Sequence, residues 1–228
     1  MLQRFISKCP LLQYFVLVKD VLMQSELEKG IESVPGGNNF TFVDLFQYVP
    51  LLETFAITNH YMKVLFKLKI TSDYLCAGGI PHKLSTSLVH LKYLFLDVCL
   101  VEQNEISSAL SIIRSSPVLE TMKFLMYDNE KLPVQQTATN FLDLEGYPDL
   151  KLEHLDTLWI SNFRNLPLEM EFVKLIMAKS PVLKKVRILL NGNVSVDEEL
   201  KMLREMVSNP MPRASSSAKL TIVRLETS

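Results

Sequence analysis

Cys9 stands beside Lys8, a pairing in which the cation would lower the thiol pKa and favour the nucleophilic thiolate. His90 and His154 offer two imidazoles, Gly78 and Gly79 form a Gly-Gly pair ahead of Pro81, and Glu169 and Glu171 bring two carboxylates close together. None of these makes a catalytic constellation. The Cys9 position recurs as Val49, Ser116 and Ser180 in CPLLQYFVL, VPLLETFAI, SPVLETMKF and SPVLKKVRI, and a position that accepts valine has no nucleophile requirement. The histidines hold matched places at the lip of two different units, where a ring bonded to a loop backbone is expected. Gly78-Gly79 lacks the GxGxxG or GxxxxGK setting that phosphate binding needs and signals a turn. Glu169 and Glu171 acidify the first turn of a helix, where the dipole favours carboxylates. Cys9, Cys76 and Cys99 are odd in number and widely spaced, without CxxC, so they are expected to be reduced, mostly buried thiols. The reading is a non-enzyme with no cofactor and no metal.

Composition narrows the remaining classes. The 228 residues are 48% hydrophobic and 21% charged, enough for a substantial core, and the formal net charge is −1 with both signs interspersed. Such a balance gives no long-range field to gather phosphate backbones or anionic lipid, so neither nucleic acid nor membrane is expected as a partner. No apolar run reaches the roughly 18–20 residues of a membrane helix, and residues 1–20 carry Lys8 and Lys19 across a broken apolar pattern unlike a signal peptide. Cytoplasm or nucleus is the expected location.

Self-similarity indicates the elements. HLKYLFLDVCLVEQNEISSALSIIRSSPVLE begins at His90, and HLDTLWISNFRNLPLEMEFVKLIMAKSPVLK begins 64 positions later at His154. Each contains an LxxLxL rhythm, Leu91/Leu94/Leu96 and Leu155/Leu158/Ile160, and the four Pro-led phrases repeat it at Leu12, Leu52, Leu119 and Leu183. The period-2 endings predict six short strands, with each leading Leu turning into the core from the preceding bend. Between strands the spacing becomes helical: Ile106, Ala109, Leu110 and Ile113 form one stripe, and Phe172, Val173, Ile176 and Met177 form its counterpart. Pro117 and Pro181 stop those helices, as Pro10 and Pro50 stop earlier ones. Such units cannot bury their apolar face alone and must stack, giving an α/β solenoid with parallel strands on the concave face and helices on the convex face. Ser195–Glu198 is a capping box that opens a further helix lined by Val196, Leu200, Leu203 and Met206 or Val207, and AKLTIVRL predicts a last strand through Leu220, Ile222 and Val223 to Leu225. The polar loops 24–39 and 128–140 are read as contact loops or plain spacers. Leu12 to Leu17 is expected to form an uncovered edge strand that favours association.

Alternation assigns the other side of each strand to the concave surface. There Tyr93, Phe95 and Trp159 would offer aromatic area beside the cations Lys123, Lys185 and Arg187, a composition enriched in interface hot spots. The alternative is that Phe95 and Trp159 lie buried under a tail or loop.

LxxLxL units with helices ending in [CS]PxL resemble the irregular leucine-rich repeats of plant F-box proteins. The segment Leu152 to Ile188 is similar to the FBD domain, and CAGGIPHKLSTSLVHLKYLFL and PRASSSAKLTI resemble the segments that flank the last repeats in that family. The resemblance implies a leucine-rich-repeat-like solenoid, with an irregular repeat region at 1–150 and an FBD-like region at 151–228 completing it. It also implies protein recognition. In the family an F-box docks on a Skp1-type subunit of a cullin ubiquitin ligase while the repeats select the protein substrate. The F-box has no counterpart here, since Met1 begins inside a repeat, so a Skp1-type partner is expected only if an F-box lies upstream. The expected role is the substrate-binding part of an F-box-type adaptor, and the alternative is a scaffold or decoy that recruits no ligase.

Overall fold

A computed structural model describes residues 8–17, 46–58, 76–77, 80–81, 83–84, 86–100, 103–127, 146–208, 212 and 214–224. The expected contact loops 24–39 and 128–140, and Leu225, lie outside the described residues. The strands are β1 Tyr14–Leu17, β2 Thr54–Ile57, β3 Cys76–Ala77, β4 Ile80–Pro81, β5 Tyr93–Val98, β6 Thr121–Met126, β7 Thr157–Phe163, β8 Lys185–Leu190 and β9 Lys219–Arg224, and the helices are α1 Gln103–Arg114, α2 Pro167–Ala178 and α3 Val196–Ser208. A seven-stranded sheet runs β1-β2-β5-β6-β7-β8-β9, every neighbouring pair parallel. This is the stacked, leucine-rich-repeat-like α/β architecture expected from the repeats.

The repeat dictates the register. One inward column runs Phe15, Phe55, Leu94, Met122, Leu158, Val186, Leu220, and the next runs Leu17, Ile57, Leu96, Phe124, Ile160, Ile188, Ile222. These side chains share one hydrophobic core with the helices. Phe124 meets Phe172 of α2 edge-on at 5.0 Å, and Phe55 takes Phe15 in a stack at 5.6 Å and Phe46 edge-on at 5.3 Å. Strands β1, β2, β5, β6, β7 and β8 each start two residues after a leading Leu, because that Leu is held in a turn. The N–H groups of Leu12, Leu52, Leu91, Leu119, Leu155 and Leu183 each donate to the carbonyl three residues back, at 3.0–3.4 Å. The leading leucines from Leu52 onward are buried.

The two copies separated by 64 residues match in detail. Ile113 and Met177 are equally buried, Leu88 N–H donates to Ser115 O at 2.7 Å as Leu152 N–H does to Lys179 O at 2.9 Å, and Ser116 and Ser180 hydroxyls donate back to the carbonyls of Ile112 and Ile176 at 2.7 and 2.6 Å. Helix α1 buries Ser107, Ser108 and Ser111 as well as the expected stripe, and β4 runs close to this helix. The Gly78-Gly79 pair, read from the sequence as a turn, lies outside the described residues.

Two sequence readings need correction. Glu169 does more than acidify a helix start: it is buried, its Oε2 accepts from the N–H groups of Arg164 and Leu166 at 2.8 and 3.2 Å, and its Oε1 lies 3.4 Å from Arg164 Nε. Its repeat counterpart Glu105 is also buried, accepting from Cys99 N–H at 2.8 Å and from the Tyr127 hydroxyl. Each glutamate thus satisfies the backbone of the strand-to-helix loop, where orphan N–H groups would otherwise be stranded. The second correction concerns α3. Its capping box forms as expected, with Ser195 N–H to Glu198 Oε2 at 2.8 Å and Glu198 N–H to Ser195 Oγ at 3.2 Å. Yet Val196, Leu200, Leu203 and Val207 face outward, Val196 and Val207 being 61% and 80% exposed. Met202 is the buried residue, Met206 packs on the core, and Glu199 takes Arg224 of β9 at 2.7 and 3.1 Å. The ion pair to β9 and the Met202 contact fix the rotation of the helix.

Burial pushes the Glu169 carboxyl above its ordinary value, with the two loop N–H groups and Arg164 opposing that shift. The unfolded chain therefore releases this proton near pH 4.5 while the folded chain still holds it, so Glu169 makes stability fall as pH rises from there through the raised folded pKa, and contributes no slope above it. Urea unfolding of the native chain and Glu169→Gln across this window should show the stability difference shifting against the native chain as pH rises, then levelling; a constant difference would contradict the assignment.

Among the described residues β1 is one edge of the sheet, and Tyr14 and Val16 on it are 64% and 53% exposed. Concentration-dependent association is expected in sedimentation, weakened by Val16→Lys, because a charge on an edge strand disfavours pairing. An unchanged sedimentation profile would place association elsewhere.

Candidate functional site

Opposite the helices, alternation produces three further columns, the third of which holds Leu125, Ser161 and the buried Asp97. The first is Tyr14, Thr54, Tyr93, Thr121, Thr157, Lys185, Lys219, and the second is Val16, Ala56, Phe95, Lys123, Trp159, Arg187, Thr221. The six residues singled out from the sequence all stand on this face. Tyr93, Lys123, Trp159, Lys185 and Arg187 line one cleft of about 450 Å³ together with Thr121, Thr157 and Leu158. Phe95 neighbours Lys123 across the β5–β6 ladder without lining the cleft.

Register explains why these side chains converge. Lys123, Trp159 and Arg187 are direct cross-strand neighbours on β6, β7 and β8, and adjacent strands lie about 4.8 Å apart. The Trp159 ring is therefore flanked on both sides: Lys123 Nζ lies 5.0 Å from its centroid and Arg187 Cζ 4.8 Å, while the same Lys123 Nζ is 5.4 Å from the Tyr93 ring. These are cation–π distances. Trp159 is half-buried, Tyr93, Phe95 and Lys123 likewise, and Lys185 and Arg187 are exposed. No described tail or loop seals Trp159 off from solvent. Its indole N–H, however, is shielded and has no hydrogen-bond partner among the described residues. Lys219, which extends the Lys185 column, belongs to the same face but was not among the six; the register of AKLTI around Leu220 was the signal that could have found it.

Below the cleft the edge of the face is shaped by a bulge. After Ile160 pairs with Ile188, the next paired residue is Phe163 with Leu190, so β7 carries one extra residue. Asn162 absorbs it at φ 62°, its amide donating to Met126 O at 2.5 Å and its Oδ1 accepting from Asn191 Nδ2 at 2.6 Å. Asparagine tolerates this left-handed backbone better than branched residues do.

The residues with chemical potential elsewhere do not assemble. His90 and His154 are exposed at the turns before β5 and β7, strands separated by β6. Cys9 is half-buried, Cys99 is buried, and neither is in a disulfide. Among the described residues no group of three or more His, Cys, Asp or Glu could hold a metal ion, and no helix is long and apolar enough to cross a membrane.

Residues 147–188 match the FBD family. This stretch is similar to the FBD family in sequence. It begins at buried Tyr147, takes in β7, α2 and most of β8, and so supplies Trp159, Lys185 and Arg187, while Tyr93, Phe95 and Lys123 come from the strands before it. The chain is also 25% identical over 191 residues to the Arabidopsis thaliana protein described as F-box/FBD/LRR-repeat protein At1g13570, an alignment covering 82% of this chain and 42% of that protein. The chain thus spans less than half the length of this curated relative. No solved structure matches it. The resemblance to plant FBD and leucine-rich-repeat proteins read from the doubled phrase is borne out by the FBD match and this relative.

Proposed function

We propose that this chain is a protein-recognition module, the substrate-binding part of an F-box-type ubiquitin-ligase adaptor working in the cytoplasm or nucleus. The observation that carries the reading is the Lys123–Trp159–Arg187 cluster, where aromatic area and cations meet at a half-open cleft on the helix-free face. Such a cluster joins the residue types that dominate interface energetics. The relative's F-box/FBD/LRR-repeat description supports the assignment to an adaptor. The repeat region 1–150 and the FBD-like region 151–228 then act as one surface, because the sheet crosses their boundary without interruption between β6 and β7.

Site-specific crosslinking tests the face. A photo-reactive phenylalanine at Tyr93 or Phe95 should crosslink to a partner protein, and the same group at Lys174 on the outer side of α2 should not. Partners captured from Lys174 alone would move recognition to the helical side. Recruitment is a separate question. Co-purification of the full gene product with a Skp1-type subunit is expected of an adaptor, and partner capture without that subunit would assign the chain to a scaffold or decoy.

A further inference from the structure

We infer that the helix-free face takes an acidic segment of its partner protein, seating carboxylate side chains among Lys123, Lys185 and Arg187 above the Trp159 ring; this rests on the reading of that face as the recognition surface. Charge is the deciding observation. Along the two outward columns that carry the cleft stand the cations Lys123, Lys185, Arg187 and Lys219 and no carboxylate, while Asp97, two residues beyond Phe95 on the same face, is buried and does not line the cleft. At the turns just before the same strands, cations are matched: Lys92 lies 3.9 Å from Glu53 and Lys184 3.6 Å from Asp156, and behind the sheet Arg224 holds Glu199. Within the cleft, none of the three cations has an ion-pair partner among the described residues.

Covering unpaired cations with a neutral or basic partner would strip their water without compensation, whereas carboxylates restore the lost interactions. A cleft of about 450 Å³ admits a few side chains. The positive character is also local. With a net charge of −1 over the whole chain, no broad field exists to hold a long polyanion such as nucleic acid, which leaves a short acidic stretch of protein as the fitting occupant.

Peptide display on the immobilised full chain provides the test, run in parallel on Lys185→Glu, on Lys123→Glu/Arg187→Glu and on Trp159→Ala. Lys185 is exposed, so its reversal leaves a folded control even if the double reversal does not. Peptides enriched on the native chain should be rich in Asp and Glu, lose roughly tenfold or more in affinity on Lys185→Glu, and weaken as salt rises. Because Trp159 is the single tryptophan, a synthetic peptide from the enriched pool should also change its fluorescence on titration. Enriched peptides without acidic bias, or acidic peptides indifferent to Lys185→Glu, would overturn the acidic class. If peptides lacking that bias still depend on Trp159, the recognition face stands and only its ligand class falls; if binding of every enriched peptide survives Trp159→Ala, the face itself is wrong.

Discussion

Leu158→Ala should destabilise the folded chain by on the order of 2–5 kcal/mol in chemical denaturation, the range for truncating a closed core leucine. Leu158 is fully buried on β7, with Met122 and Val186 as its cross-strand neighbours in the inward column. Neighbours held by their own turns and strands cannot collapse into the space left behind, so the cavity cost adds to the lost transfer free energy. Leu94→Ala, at the equivalent place one copy earlier and equally buried, should fall in the same range. A loss below about 1 kcal/mol at Leu158 would mean that the column is not closed there.

Trp159→Ala, one residue along the same strand, should behave in the opposite way. Its side chain points away from the core into the cleft, flanked by Lys123 and Arg187. Partner affinity should drop by at least about 2 kcal/mol, roughly thirtyfold in Kd, as expected for a central aromatic anchor. The melting temperature should move little, since the ring contacts the cations of the outward face and its loss leaves the inward columns intact. Calorimetric binding and thermal unfolding on the same preparation check both halves. A large fall in melting temperature with binding retained would make Trp159 a structural residue.

The contrast between these adjacent residues shows why so much of the architecture was legible. A period of two, locked by a recurring Pro-x-Leu turn, leaves no choice about which side chain enters the core, so the columns, the parallel register and the positions of the six candidate residues follow from spacing. What spacing cannot specify is a choice between two apolar faces. In α3, Val196, Leu200, Leu203 and Val207 make a better stripe than the Met202–Met206 side, but the helix is turned by its contact with Arg224, a residue 25 positions from Glu199. Glu169 was misread for a related reason. A glutamate in a first turn looks the same in sequence whether it is solvated or folded back onto the preceding loop, and only burial distinguishes the two. The convergence on Trp159 was partly legible, since alternation put the residues on one face. That Lys123 and Arg187 bracket one ring required strand order and register, which join segments far apart in the chain.

The doubled phrase also bears on how such a chain grows. Because the serines at 116 and 180 and the leucines at 88 and 152 make equivalent contacts within their own copies, and the glutamates at 105 and 169 both bond back to the preceding backbone, the repeating module is a pair of strands with one helix. Tandem duplication of that module lengthens the sheet by two strands, about 10 Å at ordinary strand spacing, and needs no redesign of the interior. Substitution in the inward columns costs core stability, whereas the outward columns can change side chain by side chain with the interior left intact.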